Sequence, residues 1–272
     1  TLELDVTTRN VTISGSKSYD GNNTVSNSSI STFNNLVSGE SLTITGSGTI
    51  SSGAVGSNKT ISLGTLTLAN GSGSASNYNL SGGTISVTRR VINLSGSKTY
   101  NGTTSITASD INTFGNIVTG ETLSLSGTGS VSSSAAENNK TLTLGSIALS
   151  DGSGSVSNYT LSSGTHQVNI TRRSVDLSGT RVYDGSTNAS ASDLTTLGNL
   201  VSGETLNLSG TGTLASAAVG SDKSVSIGTL ALSDGSGESD NYTLSGGTLE
   251  LDVTTRNVTI SGSKSYDGNN TV

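Results

Sequence analysis

Residues 1–25, TLELDVTTRNVTISGSKSYDGNNTV, return letter for letter as residues 248–272. The chain therefore reads as one 247-residue period of a tandem array followed by the start of the next. A finer repeat lies inside it, marked by Tyr19-Asp20-Gly21, Tyr100-Asn101-Gly102, Tyr183-Asp184-Gly185 and Tyr266-Asp267-Gly268, at spacings of 81, 83 and 83 residues. Self-similarity at a fixed period replaces one 272-residue fold with a fold of about 80 residues used three times. Such a unit is too long for one coil of a β-helix and should own a small core. The expected organisation is residues 1–9 as the last strand of a preceding repeat, modules at 10–90, 91–173 and 174–256, and the opening of another at 257–272.

Cys, Met, Trp and Pro are absent, so disulfides and thiol chemistry are excluded. Ser, Thr, Gly and Asn dominate, a composition that points to extracellular β-structure with many turns. The net charge of −6 and the lack of any Lys/Arg run remove the footprint of nucleic-acid binding. Nothing approaches the roughly 20 consecutive apolar residues of a membrane helix, so membrane insertion is not expected.

Tyr19 to Tyr78, Tyr100 to Tyr159 and Tyr183 to Tyr242 each span 59 residues, so the module body admits no insertion. From the second tyrosine to the joint arginine the distance is 12 residues to Arg90, but 14 to Arg173 and to Arg256. A change of two keeps the inward face of a strand, so this segment reads as a last strand of adjustable length. Leu42, Ile44, Gly46, Gly48 and Ile50 alternate as a half-buried strand does, and the glycines leave room for another backbone or for the tyrosines. Ile61 and Leu63 then switch phase to Leu66 and Leu68 across Gly64, the signature of a bulge or of a strand bending between sheets. Ile30, Phe33 and Val37 have helical spacing, with Ser29, Asp110 and Asp193 at N-cap positions and Gly39, Gly120 and Gly203 as stops. The segment predicts a short helix, a single turn or an irregular loop over the core.

Lys17-Ser-Tyr-Asp-Gly21, Val37-Ser-Gly-Glu40, Val55-Gly-Ser-Asn-Lys-Thr60 and Asn77-Tyr-Asn-Leu80 together resemble the YDG domain, a repeat of large secreted bacterial adhesins related to filamentous haemagglutinin. The resemblance covers nearly the whole module, three times over. It implies a surface-exposed extension without catalysis or cofactor. Asn101 replaces the aspartate, Arg181 the lysine, and Ala135-Ala-Glu-Asn-Asn-Lys140 varies the third motif, so no role can require that aspartate or lysine in every copy.

His166 is the single histidine, and no nucleophile elbow accompanies it, so it reads as a strand-surface residue and the chain as a non-enzyme. Asp234, Glu238 and Asp240 place three carboxylates on a Gly-rich turn, a candidate calcium loop set against a plain hairpin. Glu40, Glu121 and Glu204, Lys59, Lys140 and Lys223, and Asn77, Asn158 and Asn241 recur in all copies. They suit an intramolecular isopeptide cross-link, or surface ion pairs with an Asn bonding turn backbone. Tyr19, Tyr78, Tyr100, Tyr159, Tyr183 and Tyr242, with Gly21, Gly102 and Gly185, form the structural motif. Arg89, Arg90, Arg172, Arg173 and Arg256 stand at the joints and are expected to lie along the neighbouring module, paired with carboxylates such as Asp176, with an acidic partner as the alternative.

The expected architecture is mainly β: three tandem β-sandwich-like domains end to end as a rod, each with at most one short helix, with a β-grasp-like module as the alternative. The expected function is a stalk that carries a binding region away from a bacterial surface, as part of a secreted or cell-surface adhesin in adhesion and biofilm. The alternative is weak multivalent binding of a host or matrix glycan or protein. Partners are the neighbouring repeats, and the chain is expected to be a monomer.

Overall fold

A computed structural model describes residues 2–271. It is mainly β, and its helical segments among the described residues are single 3-10 turns. Its contacts gather into two compact units. One takes in the residues up to Ser97, with Ser105–Val131 and Asn139–Val168; the other takes in Lys98–Thr104, Ser132–Asn138 and the residues from Asn169 onward.

The first repeat shows the plan. Its strands are β1 (Arg9–Ser18), β2 (Thr24–Ser26), β3 (Ile30–Asn34), β4 (Leu42–Thr45), β5 (Ser47–Thr49), β6 (Gly56–Thr60), β7 (Thr67–Asn70) and β8 (Tyr78–Thr88). A four-stranded sheet runs in the order β3-β1-β8-β6. Its central pair is parallel, Val11 facing Leu80 and Gly15 facing Ile85, while the outer strands are antiparallel. Parallel neighbours need a long crossover, and here the whole body of the repeat is that crossover. A parallel pair at the centre with antiparallel strands on both sides makes this a mixed sheet. Two small antiparallel pairs, β4 with β7 and β2 with β5, complete the module. Val11, Leu42 and Tyr78 form one buried cluster of the module, with Phe33, Leu36, Leu68 and Ala75 packed around them.

The phase switch at Gly64 is where the chain leaves the sheet: β6 pairs with β8, a turn closed by Leu66 N–H to Leu63 O follows, and β7 pairs with β4. The helical reading of Ile30, Phe33 and Val37 is corrected. Ile30–Asn34 is a strand, and its register skips Ser31, with Ile30 opposite Gly15 and Thr32 opposite Ser14. The extra residue turns a spacing of three into one that puts Ile30 and Phe33 on the same face, so a bulge imitates a helical period. Asp110 and Asp193 are not helix N-caps but close tight turns, the first of them 3-10, accepting from Thr107 N–H at 2.8 Å and Ser190 N–H at 3.0 Å. Gly39, with φ +86°, sits in a turn closed by Glu40 N–H to Val37 O. The room left by Gly46 and Gly48 goes to backbone, not to tyrosine: a Cβ there would meet Thr65 O at 2.1 Å and Ser62 O at 2.7 Å.

The last strand takes its variation as a turn. β8 is continuous, whereas the longer copies break into Tyr159–Thr160 and His166–Thr171, and into Tyr242–Thr243 and Glu250–Thr254. Inward positions keep their phase, with Val168 and Ile170 and then Leu251 and Val253 buried. His166 is buried rather than on the strand surface. Its Nδ1 accepts from Leu94 N–H at 3.2 Å, and its Nε2 donates to Leu161 O at 2.9 Å, pinning the inserted turn.

In the second unit the third repeat follows the same plan. Thr180–Val182 runs parallel to Glu250–Thr254, which pairs antiparallel with Gly220–Ser226. One residue separates the strands on either side of each joint, Arg89 between Thr88 and Arg90 and Arg172 between Thr171 and Arg173.

Candidate functional site

The residues common to the copies converge on the joints. In the first unit Tyr19 N–H bonds Thr88 O at 2.9 Å, which fixes the tyrosine beside the end of its own last strand. The following loop is a turn in which Asp20 Oδ1 accepts from Asn22 N–H at 3.2 Å. Asn101 and Asp184 make the same bond, from Thr103 N–H at 3.1 Å and Ser186 N–H at 2.9 Å. The position needs an acceptor two residues ahead, not a charge, which is why Asn substitutes for Asp. Lys17 Nζ fills the loop, reaching Thr24 O and Asp20 Oδ1 at 2.8 Å each, and Arg181 does so in the third repeat through Ser186 O at 2.8 Å.

The phenol of Tyr19 leaves its own repeat and donates to Glu121 Oε1 of the next at 2.5 Å. Glu121 Oε2 accepts the Tyr159 hydroxyl, also at 2.5 Å. The two rings meet edge to face, 5.4 Å between centroids at 82°. Tyr159 Oη in turn accepts Val118 N–H at 3.3 Å. One carboxylate thus holds a phenol from each repeat, and hydrogen bonds to an ionised acceptor are the stronger kind. Beside it, Asn158 Oδ1 accepts Val55 N–H at 2.9 Å, and the Gly21 backbone lies against Val118, whose Cγ1 would be 2.9 Å from an added Cβ. Arg90 closes the other side, donating to Tyr19 O at 3.2 Å and Asn116 Oδ1 at 3.0 Å.

The second unit contains the same assembly. Tyr100 and Tyr242 donate to Glu204 at 2.6 and 2.7 Å, and their rings lie 5.4 Å apart at 78°. Ala136 N–H bonds Asn241 Oδ1 at 2.7 Å, and Arg173 reaches Tyr100 O and Asn199 Oδ1.

A phenol that donates to a carboxylate loses that bond on ionising. The hydrogen bond to Glu121, with burial next, pushes Tyr19 up to about 12, and burial followed by the Glu121 bond pushes Tyr159 up to about 12. Burial and then Glu204 raise Tyr100 and Tyr242 as well.

Several expectations change. The glutamates bond tyrosines, and Lys59 and Lys223 bond the carbonyls of Ser52 at 3.1 Å and Ser216 at 2.6 Å. These lysines therefore shape the loop that presents Val55 or Val219. Lys140 is buried. The calcium reading is corrected too: among the described residues no three acidic or histidine side chains are placed to hold a metal ion. Asp234 accepts Ser239 N–H at 2.7 Å, a bond that lowers its pKa, and Asp240 faces Arg172 at 3.9 Å. Asn70 and Asp151 close their own loops in the same way, so an acceptor closing a hairpin is the common requirement. Arg90 and Arg173 do lie along the neighbouring repeat, but on Asn and carbonyl oxygens; Asp176 bonds Thr248 N–H. The sequence reading overlooked Asn35, Asn116 and Asn199. Their signal was an Asn at one position in every copy, and each has positive φ, 60–70°, a conformation Asn tolerates.

Tyr183 is the exception among the motif tyrosines, 40 % exposed where Tyr19 is 7 %.

None of the curated proteins and none of the solved structures compared with the chain matches it. The family model described as "YDG domain" matches three times in tandem, over residues 4–87, 87–167 and 166–249. With nearly its whole length so matched, the chain belongs to the YDG domain family.

Proposed function

We propose that the chain is a spacer segment of a bacterial cell-surface or secreted adhesin, a stalk whose copy number sets how far a binding region stands from the cell. The observation that carries this reading is the joint. One residue links consecutive strands, and a glutamate of the following repeat holds a tyrosine from each side. A joint so short and so bonded resists bending, as a spacer requires. Four of the six motif tyrosines are spent on these joints, which speaks against the glycan-binding alternative.

Small-angle scattering tests the reading. If the repeats lie end to end at about 35–45 Å each, a rod of roughly 100–130 Å follows, with a radius of gyration of roughly 30–40 Å. A value near about 18 Å, that of a single globule of this length, contradicts it. A glycan array probed with the chain separates stalk from binder.

A further inference from the structure

When tandem repeats are pulled along the chain, the bonds that carry the load are decided by where tension enters and leaves each repeat. In the first repeat it enters at the start of β1 and leaves at the end of β8, which continues through Arg89 into Arg90. These two strands are direct neighbours and parallel, with Arg9 opposite Tyr78 and Ser18 opposite Thr88. Entry and exit therefore lie at opposite ends of one strand pair, about 30 Å apart at roughly 3.3 Å per residue. A pull along the chain acts along both strands, so the bonds over all 10 residues of β1 bear it together. The body of the repeat, residues 19–77, lies off that path. The pair is also shielded. β3 and β6 flank it, so both loaded strands are inner strands of the sheet. Val11, Ile13, Ile85 and Val87 cover one face of it, each at most 2 % exposed. Water therefore cannot replace its hydrogen bonds singly while the neighbouring strands stay in place. The longer copies keep the arrangement on both sides of their inserted turn. In the second repeat Arg90–Val91 lies parallel to Tyr159–Thr160, and Tyr100 N–H bonds Thr171 O as Tyr19 bonds Thr88. In the third, Arg173–Ser174 lies parallel to Tyr242–Thr243 and Thr180–Val182 to Glu250–Thr254.

We propose that each repeat has a mechanical function: its first and last strands form a clamp that bears tension along the chain in shear. An antiparallel hairpin, whose two ends leave side by side, would instead be peeled open one bond at a time. In the clamp the two strands yield only by sliding past each other, which breaks the bonds of the pair at once. This role goes beyond spacing. A spacer needs length, which scattering reads, whereas a clamp needs resistance to a pull, and either property can fail while the other stands.

Single-molecule pulling on the whole chain tests this by changing only the direction of the force. The sequence has no cysteine, so two introduced thiols fix where the handles attach. Arg9→Cys with Thr88→Cys loads the first repeat along the pair. Ser18→Cys with Thr88→Cys loads the same pair across its end, where these two residues face each other. All three side chains are exposed, and a urea melt matching that of the parent chain confirms that each variant folds. Both should release about 250 Å of chain in total, which shows that the same repeat has opened. At one pulling speed the force along the pair should be at least about threefold the peeling force, because its bonds yield together and not in turn. Equal forces, or a lower force along the pair, overturn the proposal.

Discussion

Arg9–Ser18 and residues 256–265 have the same ten amino acids in the same order, and they are in different states. In the first, Val11 and Ile13 are 0 % and 1 % exposed; in the second, Val258 and Ile260 are 82 % and 95 % exposed. Local propensity is identical, so it cannot be what forms the strand. The difference is the partner. Arg9–Ser18 lies parallel to Tyr78–Thr88, the far end of the same repeat, and residues 256–265 have no such strand beside them. The strand of the first repeat thus depends on a partner about 70 residues away in sequence, a contact between the two ends of the repeat. The same contrast holds at the joint: Tyr19 meets Glu121 and Tyr159, while Tyr266 is 97 % exposed.

The two copies allow each substitution to be made twice in identical sequence. Ile13→Asp buries an unpaired charge in the sheet and should cost about 3–5 kcal/mol, enough to unfold the first repeat, while Ile260→Asp should stay within about 0.5 kcal/mol; urea melts followed by circular dichroism read both. Gly15→Ala is next, because its Cβ would stand 1.9 Å from Ser29 O, whereas Gly262 has nothing within 4 Å. The first should cost about 2–3 kcal/mol and the second almost nothing. Tyr19→Phe removes the bond to Glu121 and should cost about 1.5 kcal/mol, against no measurable change for Tyr266→Phe.

The smallest effect is that of alkaline pH. Tyr19 and Tyr159 are held up to about 12, above the ordinary tyrosine value of about 10, so the folded joint keeps protons that an unfolded chain releases. That contribution is whole below about pH 10 and fades as pH climbs through about 12. The stability gap between the parent chain and Tyr19→Phe should narrow over that window. A gap that stays constant to pH 12 would show that the phenol does not act through its proton.

Much of the plan was legible in sequence because it is periodic. The constant 59-residue body, the phase switch at Gly64 and the close-coupled joint all follow from counting. The bulge at Ser31 was not, because an extra residue in a strand yields the spacing of a helix; the clue was Gly15, where the partner backbone comes too near for a side chain. The role of Glu121 was hidden for a different reason. Recurrence marked Glu40, Glu121 and Glu204 as important, but charge suggested lysine as the partner, and the partner is a pair of tyrosines 102 and 38 residues away in sequence. Asp234 misled in the same manner, since an acidic loop looks the same whether its carboxylate waits for a cation or closes the hairpin with Ser239.

The central claim is that consecutive repeats are bound through the tyrosine–glutamate–tyrosine lock. A double-mutant cycle of Tyr19→Phe and Glu121→Gln, read by denaturant unfolding, tests it most directly because the two residues belong to different repeats. The lock predicts a coupling of at least about 1 kcal/mol between them, and costs that add to within about 0.3 kcal/mol would contradict it.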